Sequence, residues 1–158
     1  MDYISTRGQD GPLGYEEALL SGLARDGGLY LPVDYPHFTA DEIREMAGLS
    51  YAALAGRIMA RFTDGEICEA ELTAMAGEAY ADFTDPEIAP LRQLNDQIHV
   101  MELFHGPTIA FKDYAMQFLS RAFDRALRSV GRQAVILGAT SGDTGSAALE
   151  AFKRREAV

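Results

Sequence analysis

Two short segments hold the residues whose types and spacing could do chemistry. The first is Glu102–Asp113, ELFHGPTIAFKD, in which Lys112 follows a His-Gly-Pro turn and a phenylalanine where a helix begins. Stepping from Lys112 by fours and threes gives Met116, Leu119, Phe123, Leu127 and Val130, an apolar stripe of the kind that faces a core. Asp113, Gln117, Ser120, Asp124 and Arg128 form the face expected to meet solvent. Neighbours at i and i+1 diverge on a helix, so Asp113 is expected to look outward and Lys112 inward. A lysine held in a cleft forms a Schiff base with an aldehyde cofactor once it loses its proton. The helix N-terminus contributes only ~0.3–1 kcal/mol to that loss, whereas desolvation is worth up to ~3–5 pKa units. The apolar stripe is what such desolvation needs. In the plainer reading the ammonium simply snorkels to water from a helix end.

The second segment is Gly138–Ala148, GATSGDTGSAA. Its small residues let backbone N–H groups and a helix N-terminus approach a carboxylate or phosphate. No Gly-Lys-Ser/Thr follows, so it is not a Walker A loop, and it is not a GxGxxG dinucleotide turn. Alone it is a weak signal, because Asp143 or Thr144 could merely cap the helix.

The elements that must position these segments divide the chain. Residues 1–95 read mainly as helices. Tyr15–Arg25 is periodic in Ala18, Leu19 and Leu23, with Gly27-Gly28 as a left-handed stop. Leu29–Pro36 is extended and proline-broken. Thr39 and Glu42 match a capping box. Ser50 and the stretch from Asp64 to Glu69 open further helices, the last carrying Leu72, Met75, Ala76, Ala79 and Tyr80 on one side. Over residues 96–158 the pattern becomes strand (Ile98–Phe104), helix (108–130), strand (Ala134–Leu137, AVIL) and helix (Thr144–Arg155). That alternation predicts an α/β fold: a mainly helical N-terminal module followed by the start of a parallel-sheet domain with crossover helices. In such a sheet ligands bind beyond the carboxyl ends of the strands, so both turns can line one crevice.

The totals bound the function classes. A chain of 158 residues with 47 % apolar and 24 % charged residues can build a core. Its net charge of −10 argues against nucleic acid or an anionic membrane as partner. The single Cys68 allows no intramolecular disulfide and no metal-ligand cluster, which suits a reducing cytoplasm. The opening MDYISTRGQDG lacks the apolar core of a signal peptide, and no apolar run approaches the ~20 residues of a membrane span. A cytoplasmic location is expected.

ELFHGPT-x-AFKD and ATSGDTG (Ala139–Gly145), joined by STRG (Ser5–Gly8) and GLARDGGLYLP (Gly22–Pro32), resemble the threonine synthases. These are pyridoxal-phosphate enzymes of the tryptophan synthase β fold class. The resemblance spans essentially the whole chain, and its twelve-position lysine motif is far more specific than either turn alone.

The resemblance implies a carbon–oxygen lyase acting on phosphates, which converts O-phospho-L-homoserine and water to L-threonine and phosphate. The lysine matching Lys112 would hold pyridoxal phosphate as a Schiff base and shuttle the α proton. Thr140, Ser141, Gly142 and Thr144 would hold the substrate carboxylate, with Asp143 near the cofactor's 3′ oxygen. Phe111 would pack near the cofactor ring or serve as a core residue. His105 would touch a phosphate or hold its turn, and Arg7 a phosphate or a structural partner. Tyr3 and Tyr30 are read as structural, and no metal is expected. A related phospho-lyase giving a 2-oxo acid, a non-catalytic homologue and a nucleotide-binding module are the rivals. The second phosphate-cradling loop and the pyridine-nitrogen partner are missing from these residues, so the chain is expected to be an N-terminal fragment, inactive alone.

Overall fold

Thr39 opens a helix through its capping box. Its hydroxyl accepts from Glu42 N, and the Glu42 carboxylate accepts from Thr39 N at 2.8 Å, at the start of α2 (Ala40–Glu45). Ser50 accepts from Ala53 N to open α3 (Tyr51–Thr63). The computed structural model describes residues 1–158 and resolves two compact units, Met1–Ala76 and Gly77–Val158.

In the first unit, β1 (Tyr3–Ser5) pairs antiparallel with β2 (Tyr30–Pro32), Tyr3 facing Pro32 and Ser5 facing Tyr30. The first helix, α1 (Tyr15–Ser21), ends at Gly22 with φ 68°, earlier than the Gly27-Gly28 stop suggests. Gly14 has no side chain with which to cap it. The distant Glu66 does so instead, accepting from Tyr15 N at 2.7 Å and Glu16 N at 3.0 Å. Helix α4 (Glu69–Ala79) crosses α3 where a Cβ on Gly56 would lie 2.1 Å from Thr73 Oγ1, so only glycine permits the approach. Ile67, Leu72, Met75 and Ala76 supply the buried apolar groups beside it, as the periodicity predicts for the last three.

Asp26 ties the STRG turn to the RDGG turn. Its carboxylate accepts from Ser5 Oγ at 2.6 Å, Gly28 N at 2.9 Å and Gln9 N at 3.0 Å. The Ser5 hydroxyl above all holds its carboxyl below the usual range. Asp10 is lowered likewise, chiefly by the Arg25 amide and then by the Tyr30 hydroxyl.

The second unit departs from the expected α/β pattern in its strands. The strand expected over Ile98–Phe104 is confined to β4 (His99–Met101) and pairs antiparallel with β3 (Leu91–Gln93). Ala134–Leu137 forms no strand: Val135 is 94 % and Leu137 98 % exposed. Its apolar residues have no neighbouring strand to complete a ladder, and the segment is tied through Ala134 N to Ala157 O at 2.9 Å. The unit is otherwise helical, with α5 (Asp113–Ser129) and α6 (Asp143–Phe152).

The expected facing of α5 is also corrected. Asp113, Gln117, Ser120 and Asp124 are buried, while Met116, Leu119 and Phe123 are half-buried and Val130 is exposed; Leu127 is buried and Arg128 exposed, as the periodicity indicates. On the polar side Asp124 Oδ1 accepts from Ala157 N at 2.8 Å, and Ala122 and Ala126 are fully buried on the opposite side of the helix. Burial of polar groups is tolerated because they are hydrogen-bonded. Helix α6 packs on α5, where Phe123 meets Phe152 edge-on at 6.3 Å, and beyond the end of α6 Arg128 reaches Glu156 at 3.4 Å.

Candidate active site

The start of α5 is built from the HGPT turn. Ile109 N donates to Gly106 O at 3.1 Å and Asp113 N to Ala110 O at 3.0 Å. Asp113, with no exposed surface, closes the turn: Oδ2 accepts from Thr108 N and Oδ1 from Thr108 Oγ1, both at 2.8 Å. A Cβ on Gly106 would lie 2.5 Å from Asp113 Cβ, which explains the glycine. Ile109 sits at φ 66°, a left-handed conformation that costs a side-chain-bearing residue roughly 1–2 kcal/mol and persists only where the surroundings enforce it.

A second layer holds the turn from behind. His105 Nε2 lies 2.9 Å from Glu102 Oε2, and its Nδ1 lies 3.3 Å from Thr84 Oγ1. Arg92 bridges Glu102 at 3.4 Å and Asp85 at 3.1 Å. The Tyr114 hydroxyl donates to Ile88 O at 2.6 Å. With both ring nitrogens engaged, His105 holds the turn.

Lys112 occupies the N-cap position of α5 and is half-buried. Its Nζ lies 4.3 Å from the centroid of the Phe111 ring, a cation–π geometry. Phe111 is 59 % exposed and so is not a core residue. The chain contains one other lysine, Lys153, which follows α6 and is ion-paired with Glu150.

The start of α6 is open. Thr140, Ser141, Gly142, Asp143 and Thr144 are all exposed. Neither Asp143 nor Thr144 caps the helix; Thr140 Oγ1 accepts from Gly145 N at 3.1 Å and Gly142 N at 3.2 Å. Gly142, at φ 147°, has a backbone that disfavours side chains, and a Cβ on Gly145 would strike Thr140 Cγ2 at 2.3 Å. The first-turn amides of Asp143 and Thr144 stay unsatisfied and point beyond the helix end.

Within the first unit Arg7 NH1 donates to Asp26 O at 2.9 Å. Tyr3 donates to Phe62 O at 2.9 Å and Tyr30 to Asp10 Oδ2 at 2.7 Å, both structural contacts. Sequence reasoning missed Asp113, Thr108 and Ile109. The available signal was the hydroxyl and carboxylate flanking a helix start, residue types that bond back to local backbone.

Residues 2–80 match the family model described as threonine synthase N terminus. Over all 158 residues the chain is 52 % identical to a threonine synthase of Pseudomonas aeruginosa and covers 34 % of that protein. It is 42 % identical to the threonine synthase of Corynebacterium glutamicum, again covering 34 % of its length. A crystal structure of PLP-bound threonine synthase from Brucella melitensis superposes with a TM-score of 0.96 at 53 % identity, over 99 % of this chain and 34 % of that one. The yeast enzyme superposes at a TM-score of 0.91 and 36 % identity, over 99 % of this chain and 34 % of its own. The chain therefore spans about a third of the length of the relatives it matches. Its mostly helical fold with small sheets is the one those enzymes share over this span. By sequence along its full length and by fold, it belongs to the threonine synthase family.

Proposed function

We propose that this chain is the lysine-bearing part of a cytoplasmic pyridoxal-phosphate-dependent lyase that converts O-phospho-L-homoserine and water to L-threonine and phosphate. Residues 1–95 form the family's helical module in this reading, and residues 96–158 begin the α/β domain that carries the cofactor. What supports the reading is the superposition of this chain on a PLP-bound threonine synthase, together with a lysine at the start of α5 and an exposed donor loop at the start of α6.

The residues present fit the aldehyde end of pyridoxal phosphate, because Lys112 offers a primary amine engaged by no carboxylate and resting on the Phe111 ring. When bound, the cofactor supplies an electron sink that acidifies the substrate's α and β protons. Lys112 would hold it through its amine, and the same amine would be the group that moves the α proton. The Asp143 and Thr144 amides, with the Ser141 and Thr144 hydroxyls, hold the substrate carboxylate at a helix N-terminus. Gly142 supplies the backbone conformation that opens the loop, and Thr140 holds the loop in shape through its two amide contacts. The Asp143 carboxylate would lie near the cofactor's 3′ oxygen. In the reaction phosphate leaves the substrate's γ carbon and water adds at the β carbon.

Product analysis of the full gene product with phosphohomoserine tests this. Threonine and phosphate in equal amounts are expected. A 2-oxo acid with ammonia and phosphate would assign the chain to a phospho-lyase instead, and absence of turnover with no cofactor absorbance would reject an enzymatic role.

A further inference from the structure

Asp113 is fully buried and spends both carboxylate oxygens on Thr108, although one hydrogen bond would suffice to cap a turn. The two bonds bridge Thr108 and Asp113, so Ile109, Ala110, Phe111 and Lys112 lie inside a closed loop. That loop is pinned again by the bonds from Ile109 N to Gly106 O and from Asp113 N to Ala110 O. It also contains the left-handed Ile109, an isoleucine in a conformation that favours glycine.

We propose that Asp113 is a positioning residue for Lys112: its double bond to Thr108 closes the loop, keeps Ile109 left-handed and thereby sets the direction in which the Lys112 side chain leaves the backbone. The proposal rests on the reading of Lys112 as the cofactor lysine. Lysine carries four flexible methylenes, so a fixed Cα and Cα–Cβ direction limits how far its amine wanders. Alignment of a reacting amine is worth large rate factors, and ångström errors are costly. A carboxylate suits the task because it accepts from an amide and a hydroxyl at once. An asparagine keeps the bond from the Thr108 amide only by turning its NH2 group toward the Thr108 hydroxyl, which must then reverse from donor to acceptor. A residue that served only the helix dipole would need neither the burial nor the second bond.

The test uses the full gene product carrying Asp113→Asn, Thr108→Val or Thr108→Ser, with two readouts. One is the rate of covalent pyridoxal phosphate capture, trapped with borohydride and mapped by mass. The other, on cofactor-free protein, is the acetic anhydride labelling of Lys112 relative to Lys153. Asp113→Asn is expected to slow capture about tenfold or more, Thr108→Val about three- to tenfold, and Thr108→Ser less than about twofold. The labelling ratio should shift by about twofold or more in the first two and hold in the third. Parental capture rates and labelling ratios in Asp113→Asn and Thr108→Val, whatever their melting points, would overturn the proposal. If Asp113→Asn fails to fold, Thr108→Val alone decides. Capture at another lysine in the parent protein would reject the reading of Lys112, while the cofactor-free ratio would still decide the role of Asp113.

Discussion

The two helix starts of the second unit solve opposite problems. At α5 the polar side chains that frame Lys112 are spent on one another or on backbone: Asp113 on Thr108, His105 on Glu102 and Thr84, Tyr114 on Ile88. At α6 a single hydroxyl, that of Thr140, ties the loop, while the Asp143 carboxylate and the first amides remain available. In the proposed reading the difference shows how a site divides its labour. A covalent attachment point gains from the fixed origin that a closed turn supplies, and a binding loop that exchanges its partners gains from donors left to the ligand.

The largest effect expected from this contrast is on rate at the open start. Asp143→Ala in the full gene product should lower kcat/KM by more than about tenfold while moving the melting midpoint little, because the carboxylate caps nothing and is exposed. A lowered midpoint with unchanged kcat/KM would mean that the two starts do not differ as described.

Next in size is a change at the closed start. Gly106→Ala drives a methyl group into Asp113 and should cost about 2–3 kcal/mol, in the range of overpacking. Gly138→Ala, with nothing within 4 Å of its Cβ, should stay within about 0.5 kcal/mol. Chemical denaturation of both variants checks the contrast, and equal costs would break it. Smaller again is Thr140→Val, which removes the acceptor shared by Gly142 N and Gly145 N. It should cost about 1 kcal/mol, the size of a lost cap, and speed hydrogen exchange at those two amides. Unchanged exchange there would mean that the hydroxyl does not shape the loop.

The contrast between closed and open turns also reflects what the sequence made legible. Capping at Thr39 and Ser50 and the stripe of α4 follow from local chemistry, and each forms as the sequence indicates. The helices at 113 and 143 are equally visible in their periodicity. The facing of α5 was not, because periodicity reports which residues are apolar and not which neighbour arrives. Asp113 and Asp124 found partners of their own, Thr108 for the first and the Ala157 amide for the second, which hold both carboxylates inside. The AVIL run reads as a strand by composition, yet a strand exists only with a partner. Lys112 and the 140–144 loop stand out in the sequence as candidates because their residue types and spacing are chemical. The clamp that links Thr108 to Asp113 was not, because a five-residue return bond leaves no periodic trace.

The smallest effect concerns a third turn, which serves as a reference for the closed kind. Asp26 in the first unit accepts three hydrogen bonds and titrates below the usual carboxylate range. A depressed folded-state value means that its stabilising contribution is full above the unfolded value, near ~3.9, and is lost as pH falls through the lower folded value. Amide exchange at Gln9 and Gly28, referenced to amides remote from this turn, should therefore accelerate on acidification into that window. Asp26→Asn should remove the carboxylate's share of this pH dependence. A parental profile that stays flat would show that the turn does not depend on its carboxylate.

The central claim is that Lys112 is the residue that carries the cofactor. It is tested most directly by reducing the full gene product with borohydride in the presence of pyridoxal phosphate and mapping the modified peptide by mass. The account predicts a single stoichiometric label on the peptide that contains Phe111 and Lys112, absent from Lys112→Ala and from Lys112→Arg, whose guanidinium stays protonated. A label on Lys153 or on any lysine outside this segment, with Lys112 unmodified, would contradict it.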